Sequence, residues 1–244
     1  MPTLSVDLAF EDYRDIGVVT LANLDGRIKA SAVPLTTRGL HGRPSAGGLA
    51  DALVSLANEI SATWIVIDGP QGWKAPENGF EHCRCCERAL ATQRKTGLPG
   101  VTTPGNYLAF ITFAIELFDA LDNRGWPRLA TPSVPPLQRH CAVESFPTSA
   151  WRSLGLVPLP GKGATAPEMV LARLQSLRAV FPLDVSDYLS HDELQALVAG
   201  LAGVALDDGN AAGVSIAGVP PMRSEGTWRE GFIVNPTRKA VGWR

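Results

Sequence analysis

One short segment constrains the fold more than any other, because it is a buried strand that ends in an acidic residue. Within ATWIVIDGPQGW, residues 62–73, the apolar β-branched run at positions 65–67 predicts a buried strand. Asp68 follows at its carboxyl end, and Gly69 and Pro70 then end the strand. An acid there is costly to desolvate without a partner, and ligands of α/β proteins bind at this edge of the sheet. Asp68 therefore indicates either a binding site or, more simply, the start of a turn.

The residues before this segment predict three strands and a helix. Residues 3–10 and 15–23 have strand character, and a third strand at 27–35 follows an Asp-Gly hairpin signal. Leucines at helical spacing then predict a helix. Because this helix connects the three strands to the next one, we expect that strand to lie parallel to the first and beside it. Asp7 would then neighbour Asp68, and two such carboxylates repel unless one is protonated or a cation binds between them.

Composition favours an ordinary globular protein and excludes several classes of function. The 244 residues, 45% hydrophobic and 19% charged, fit one large domain or two small ones. A net charge of −2 excludes a general attraction to nucleic acid, so such binding would need a local basic patch. The N-terminus lacks the regions of a signal peptide, and the most apolar segment, residues 107–121, contains two acids and is too short to span a bilayer. We therefore expect a cytoplasmic protein without a membrane segment.

An irregular insert is expected at about residues 71–138. It contains HCRCCERAL, whose histidine and three cysteines suggest zinc as one alternative. The spacing argues against zinc, because no C-x-x-C pair is matched by a second pair and adjacent cysteines rarely both reach one tetrahedral ion. The same stretch predicts a short helix that presents Arg84 and Arg88, followed by Arg94 and Lys95. These cations form either a phosphate-binding patch, in which Arg84 and Arg88 contact a substrate, or a solvated face.

Two further acids follow the insert. Glu144 lies in the short strand HCAVESFP, where alternation places it on the face opposite Val143. An exposed glutamate on an edge strand is the alternative. Asp192 lies in the first turn of a helix that Ser190 and Glu193 cap, where the helix dipole alone favours an acid.

The segment from Gly155 to Lys162 superficially resembles a phosphate-binding loop. Its spacing is one residue too long, and Gly163 replaces the Ser or Thr that would hold magnesium. Its two prolines also lack backbone donors. We therefore do not expect this segment to bind a nucleotide.

Six short segments follow one another in an informative order. They are VDLAF, IDGPQGW, an Arg-Cys-Cys-Glu-Arg segment, ESFP, HDELQALVAGLAG and the ending EGFIVNP. In this order they resemble the predicted ribonuclease H-like nuclease family classed as domain of unknown function 429. The resemblance covers most of the chain, and the order of the motifs is a stronger signal than any one of them. One departure is Gln195, which stands where the family often has a second acid in its last helix.

The resemblance implies a single ribonuclease H-like domain over residues 1–244. Its α/β fold would have a mixed five-stranded sheet flanked by helices. The resemblance also implies a cluster of catalytic carboxylates at one end of the sheet, formed by Asp7, Asp68, Glu144 and Asp192. Three of these would be metal ligands, namely Asp7, Asp68 and Asp192. Such a cluster suits two Mg²⁺ or Mn²⁺ ions about 4 Å apart, which assist phosphodiester hydrolysis.

The function that follows is a metal-dependent nuclease with nucleic acid as its partner. An alternative is a catalytically inactive nucleic-acid-binding or interaction protein that keeps the fold without the full site. An actin-like ATPase would require two such domains, and the length supplies one. The type of nucleic acid and the oligomeric state stay open at this point.

Overall fold

The computed structural model describes residues 1–134 and 140–240. Most of its strands form one sheet: β1 (Thr3–Asp7), β2 (Gly17–Leu24), β3 (Arg27–Ala32), β4 (Trp64–Asp68), β7 (Cys141–Ser145), β8 (Leu183–Asp184), β9 (Val214–Ser224) and β10 (Thr227–Pro236). A separate pair consists of β5 (Lys95–Thr96) and β6 (Thr102–Thr103). Within the described ranges the large sheet has eight strands in the order β8-β3-β2-β1-β4-β7-β10-β9.

The first four strands pair as the sequence predicts. β1 runs antiparallel to β2, β2 runs antiparallel to β3, and β4 lies parallel to β1. In the parallel pair Asp7 lies directly opposite Asp68. The prediction that these two acids are neighbours is therefore confirmed.

The sheet is wider than the sequence predicts. A mixed sheet flanked by helices is confirmed, and its centre is the five-strand group β3-β2-β1-β4-β7. The prediction of five strands is wrong, because the C-terminal hairpin β9–β10 joins β7 and the short β8 joins β3. The added strands pair backbone groups that would otherwise stay open along the edges of the five-strand group.

Helices cover both faces of the sheet. In chain order they are α1 (Ala46–Glu59), α2 (Cys85–Ala89), α3 (Leu108–Asp122), α4 (Pro147–Ser153), α5 (Pro167–Arg178) and α6 (His191–Asp207). One apolar core lies between the sheet and α4, α5 and α6, and the other between the sheet and α1 and α3. The Ser190–Glu193 capping box that begins α6 is confirmed.

Two glycines let α6 lie unusually close to the sheet. A Cβ atom at Gly200 would lie 2.4 Å from the Leu21 side chain, and one at Gly203 would lie 2.4 Å from Thr3. Neither distance is sterically possible, so any larger residue would push α6 away from β1 and β2. This contact fixes the height of the first turn of α6 above the sheet.

Residues 135–138 of the insert predicted at about 71–138 lie outside the described residues, and its described part contains α2, the β5–β6 pair and α3. The long helix α3 packs against α1 and supplies apolar side chains to the core. The division of this segment from the rest of the domain stays a prediction. In the part of the chain that the structure describes, no helix is both long and apolar enough to cross a membrane.

Candidate metal centre and cleft

Asp7 and Asp68 lie at the carboxyl ends of two adjacent parallel strands, β1 and β4. Side chains alternate along a strand, so Asp7 shares the face of Thr3 and Ser5, which α6 covers. The paired register gives Asp68 the same orientation. Both acids therefore lie on the face that carries the start of α6.

A hydrogen bond joins the two carboxyl groups. Burial raises the pKa of Asp7 well above its usual value, and the negative charges of Asp68 and Asp192 raise it further. Burial also raises the pKa of Asp68 to about 7, although a hydrogen bond from Asp7 and the charge of Arg94 oppose the rise. Asp7 is thus the donor and Asp68 the acceptor, which is the arrangement that two like charges adopt without a cation.

The first turn of α6 brings Asp192 and His191 to the same place. One ligand atom each from Asp7, His191 and Asp192 lies within 4.8 Å of the others. Gly17 permits this approach, because a Cβ atom there would lie 2.3 Å from the backbone carbonyl of Asp192. Three segments distant in the sequence therefore converge on one small volume that could hold a metal ion.

Hydrogen bonds fix the orientation of the His191 ring. Its Nε2 lies 2.8 Å from the carbonyl oxygen of Pro160, and its Nδ1 lies 2.8 Å from Oδ1 of Asp192. Burial lowers the pKa of His191, but these two acceptors outweigh burial and raise it overall. Burial raises the pKa of Asp192, but hydrogen bonds from His191 and Lys162 lower it overall. The contact between the two side chains thus favours the protonated form of His191 and the ionised form of Asp192.

Lys162 supplies a positive charge beside the acids. Its Nζ donates to Oδ2 of Asp192 at 2.5 Å and to Oδ1 of Asp15 at 2.8 Å. The side chain is still 53% exposed. Burial lowers the pKa of Lys162, but its bonds to the two carboxylates raise it overall, so the ammonium stays charged.

Sequence reasoning missed both Lys162 and His191 as site residues. The segment that ends at Lys162 resembles a phosphate-binding loop with the wrong spacing, and nothing in its sequence indicates that Lys162 contacts the acids. His191 was visible in the sequence as the neighbour of Asp192 at a helix start. That position alone did not point to a site.

Glu144 lies outside the group formed by Asp7, His191 and Asp192, although its negative charge contributes to the raised pKa of Asp68. In the parallel pairing of β4 and β7 it lies opposite Ile67, so its side chain leaves the sheet on the face opposite Asp68. There both of its oxygens accept hydrogen bonds from Arg84, at 2.6 and 2.7 Å, and one also accepts from the backbone of Gln71. Burial raises the pKa of Glu144, and Arg84 opposes that rise. The predicted place of Glu144 in the carboxylate cluster does not agree with this geometry.

The two arginines predicted to bind substrate differ in their surroundings. Arg84 is 1% exposed and pairs with both Glu87 and Glu144, so it cannot face a phosphate in solution. Its predicted role therefore does not agree with the structure, because a buried guanidinium needs these partners. Arg88 is exposed and lies 6.0 Å from the centre of the Phe80 ring, away from the acids. Its role in substrate binding stays a prediction.

Gln195, the residue that departs from the family pattern, is also committed to a partner. Its Oε1 accepts a hydrogen bond of 2.8 Å from Nε1 of Trp151. Gln195 still lines the cleft above the acids.

That cleft is a cavity of about 810 Å³ with Asp7 and Asp68 in its wall. His191, Lys162 and Gln195 line it from the side of α6. The rest of the lining combines exposed cations with aromatic rings, among them Arg94, Arg152, Phe10, Tyr107, Phe110 and Phe146. A site of this size holds a small molecule or a short piece of a polymer.

The cysteines of the insert take no part in this site. Cys83, Cys85 and Cys86 are free thiols, and Cys83 and Cys86 are buried. Among the described residues the group that could hold a metal consists of Asp7, His191 and Asp192.

Comparison with known proteins gives little further help. Neither a protein-family model nor the sequence of a curated protein matches the chain. The resemblance to domain of unknown function 429 is therefore not supported by a family model. Among solved structures, a Thermus thermophilus RuvC structure matches 86% of this chain and 98% of its own, with 12% identity and a TM-score of 0.40. A likeness of this size assigns neither fold nor function.

Proposed function

We propose that the protein is a metal-dependent hydrolase that cleaves phosphodiester bonds in nucleic acid. The observation that carries this proposal is the convergence of acids from separate elements at one cleft. Asp7 and Asp68 are paired in register, and Asp192 with His191 reaches Asp7 from the first turn of α6. Carboxylates held together at the carboxyl ends of parallel strands repel each other and destabilise the fold unless a cation binds them.

The fold around the acids supports the same proposal. A mixed sheet of five central strands with helices on both faces is what the resemblance to ribonuclease H-like nucleases implies. The order β3-β2-β1-β4-β7 supplies that arrangement, with the acids on its two middle parallel strands and on the helix across them. We therefore propose a ribonuclease H-like fold with three added strands for this domain.

The donor atoms fit a hard divalent cation. Asp7, Asp68 and Asp192 offer carboxylate oxygens, which suit Mg²⁺ and Mn²⁺, and the His191 nitrogen favours Mn²⁺ of the two. Such an ion would lower the pKa of a water molecule and stabilise negative charge on the leaving oxygen. To receive it, Asp7 must release its proton, and the ring nitrogen of His191 that binds the ion must be unprotonated.

Cations at the cleft would hold the phosphates of the substrate. Lys162 is half-exposed beside Asp192, and the exposed Arg94 lies close enough to Asp68 to affect its pKa. Arg152 is exposed and lines the same cavity. Guanidinium groups bind phosphate oxygens through two hydrogen bonds at once, so these side chains could position a phosphodiester over the acids.

A cleavage assay tests the proposal. Purified protein is incubated in Mg²⁺ or Mn²⁺ with single-stranded, duplex and branched DNA and RNA. We expect cleavage that falls by roughly 100-fold or more in Asp7→Asn and Asp68→Asn, because each removes a metal ligand. Asp184→Asn, an exposed acid on β8, is the matched control and should keep full activity.

Asp192→Asn separates two roles of that residue. If Asp192 binds metal, the loss should equal that of Asp7→Asn. If it only complements the helix dipole, the change should cost about 0.3–1 kcal/mol of stability and little activity. Activity that survives Asp7→Asn unchanged would show a contaminating nuclease and refute the site.

An inactive nucleic-acid-binding protein is the second candidate. Two observations favour it, namely the ion pair between Lys162 and Asp192 and the amide at Gln195 in place of an acid. Titration calorimetry with Mg²⁺ and Mn²⁺ discriminates the two candidates. Binding of nucleic acid without any metal binding or cleavage would favour the inactive protein.

A further inference from the structure

Three aromatic rings form a continuous strip along the cleft, which we call the aromatic strip (Phe10, Phe110 and Tyr107). Phe110 is the middle ring, with its centre 6.3 Å from that of Phe10 and 6.5 Å from that of Tyr107. All three rings line the cavity that contains Asp7 and Asp68, and all three are half-buried. The strip therefore keeps part of its aromatic surface open to the cleft.

An arginine lies over each end of the aromatic strip. The guanidinium carbon of Arg94 is 3.9 Å from the centre of the Tyr107 ring, and that of Arg43 is 6.0 Å from the centre of the Phe10 ring. Arg94 and Arg43 are both exposed. Positive charge thus lies at both ends of the aromatic strip, with the three rings between.

The strip also connects the cleft with a second cavity. That cavity, of about 670 Å³, shares Phe10 and Asn106 with the first and has Arg43 in its wall. The groove therefore runs from the acids, past the strip, to Arg43. Two adjoining cavities with shared lining residues suit a chain molecule that extends from one into the other.

We propose that this groove binds a single unpaired strand of nucleic acid, with bases stacked on the aromatic strip and backbone phosphates at Arg94 and Arg43. The inference rests on the proposed function and specifies its substrate. Stacking on side chains needs bases whose faces are free, and the paired bases of a duplex do not offer them. The cleft has the volume of a small-ligand site, so it admits a short length of one strand rather than both strands of a duplex.

Direct binding measurements test this inference without relying on cleavage. Fluorescence anisotropy is measured in EDTA with a fluorescein-labelled oligodeoxythymidylate of about 15 nucleotides, its RNA equivalent and a mixed-sequence duplex of the same length. We expect either single strand to bind at least about tenfold more tightly than the duplex. Equal affinity for the duplex, or no binding of any probe, overturns the inference.

Substitutions locate the binding on the strip. Tyr107→Leu should weaken single-strand binding roughly 5- to 100-fold, because it removes one stacking platform, whereas Tyr107→Phe should bind like the parent protein. Phe80→Leu is the matched control, because Phe80 is another partly exposed ring with an arginine 6.0 Å away but outside both cavities. Thermal melting verifies that each variant is folded. Unchanged binding by folded Tyr107→Leu, or an equal loss in Phe80→Leu, overturns the inference.

The failure of this inference can be distinguished from that of the proposed function. Tight single-strand binding that depends on Tyr107, without cleavage, leaves the inference standing and refutes the hydrolase. Cleavage of duplex that depends on Asp7 but is unaffected in Tyr107→Leu refutes the inference and keeps the hydrolase.

Discussion

Replacing Asp68 by Asn should make the metal-free protein more stable at alkaline pH. Its pKa rises from 3.8 to about 7 in the folded protein. The folded state therefore binds more protons than the unfolded state between about pH 4 and pH 7, and its stability falls as the pH rises through that window. Asp68→Asn removes the ionising group, so the variant does not lose this part of its stability as the pH rises.

The magnitude follows from the size of the shift. Each pKa unit corresponds to about 1.4 kcal/mol, so ionised Asp68 costs the folded protein up to about 4 kcal/mol. Because Asp7 shares the proton and part of the penalty, we expect Asp68→Asn to gain about 2–4 kcal/mol at pH 8. In a domain of this size each kcal/mol moves the melting temperature by about 2–4 °C. Near pH 4 the difference should shrink to about 1 kcal/mol or less, because Asp68 is protonated in the folded state and only about half ionised in the unfolded state.

Thermal and urea unfolding in EDTA, from about pH 4 to pH 9, measures the effect. Asp184→Asn controls for the general effect of removing one negative charge from an exposed position. Added magnesium should stabilise the parent protein, by about 2.7 kcal/mol at 100 times its Kd, and should stabilise Asp68→Asn less. A variant that is no more stable than the parent at pH 8, or a difference that is the same at every pH, would refute the reasoning.

Three further predictions concern other parts of the site. Metal affinity should rise with pH up to about pH 7 or above, because the pKa values of Asp7 and Asp68 are raised and metal binding must displace their protons. Calorimetry in two buffers of different ionisation enthalpy measures the number of protons released. Glu144→Gln should destabilise the fold by about 3 kcal/mol, because the buried Arg84 then has less negative charge beside it. The folded fraction of this variant should keep its kcat. A large loss of kcat would show that Glu144 belongs to the catalytic site. Purified protein should contain no stoichiometric zinc, and elemental analysis that finds about one zinc per chain would contradict this.

The central acids could be predicted because they depend only on local patterns and general rules of connection. A strand, a helix and a second strand in sequence place the two strands in parallel, and Asp68 closes the second. The end of the first strand at Asp7 was not predicted, because the sequence favoured a strand that continues to residue 10. The start of α6 could also be predicted from the sequence, because Ser190 and Glu193 form a recognisable capping box.

The misplaced residues depend on register and on distant partners. Whether Glu144 faces Asp68 or the opposite side is decided by a one-residue shift in the pairing of β4 with β7, which the sequence of either strand does not specify. Arg84 is separated from its partner Glu144 by 60 residues, so its burial could not be inferred from its own neighbourhood. Lys162 begins a short 3-10 turn, Lys162–Ala164, and its bonds to Asp15 and Asp192 are again long-range contacts.

The close packing of α6 on the sheet limits which amino-acid substitutions the protein tolerates. Gly17, Gly200 and Gly203 touch no substrate and donate no ligand, but each occupies a point where backbone and sheet meet without room for a methyl group. A mutational scan for activity should therefore find these glycines among the most intolerant positions, alongside the acids. Among related proteins that keep the site, these glycines should vary almost as little as the acids, because a larger side chain would move the helix that carries Asp192.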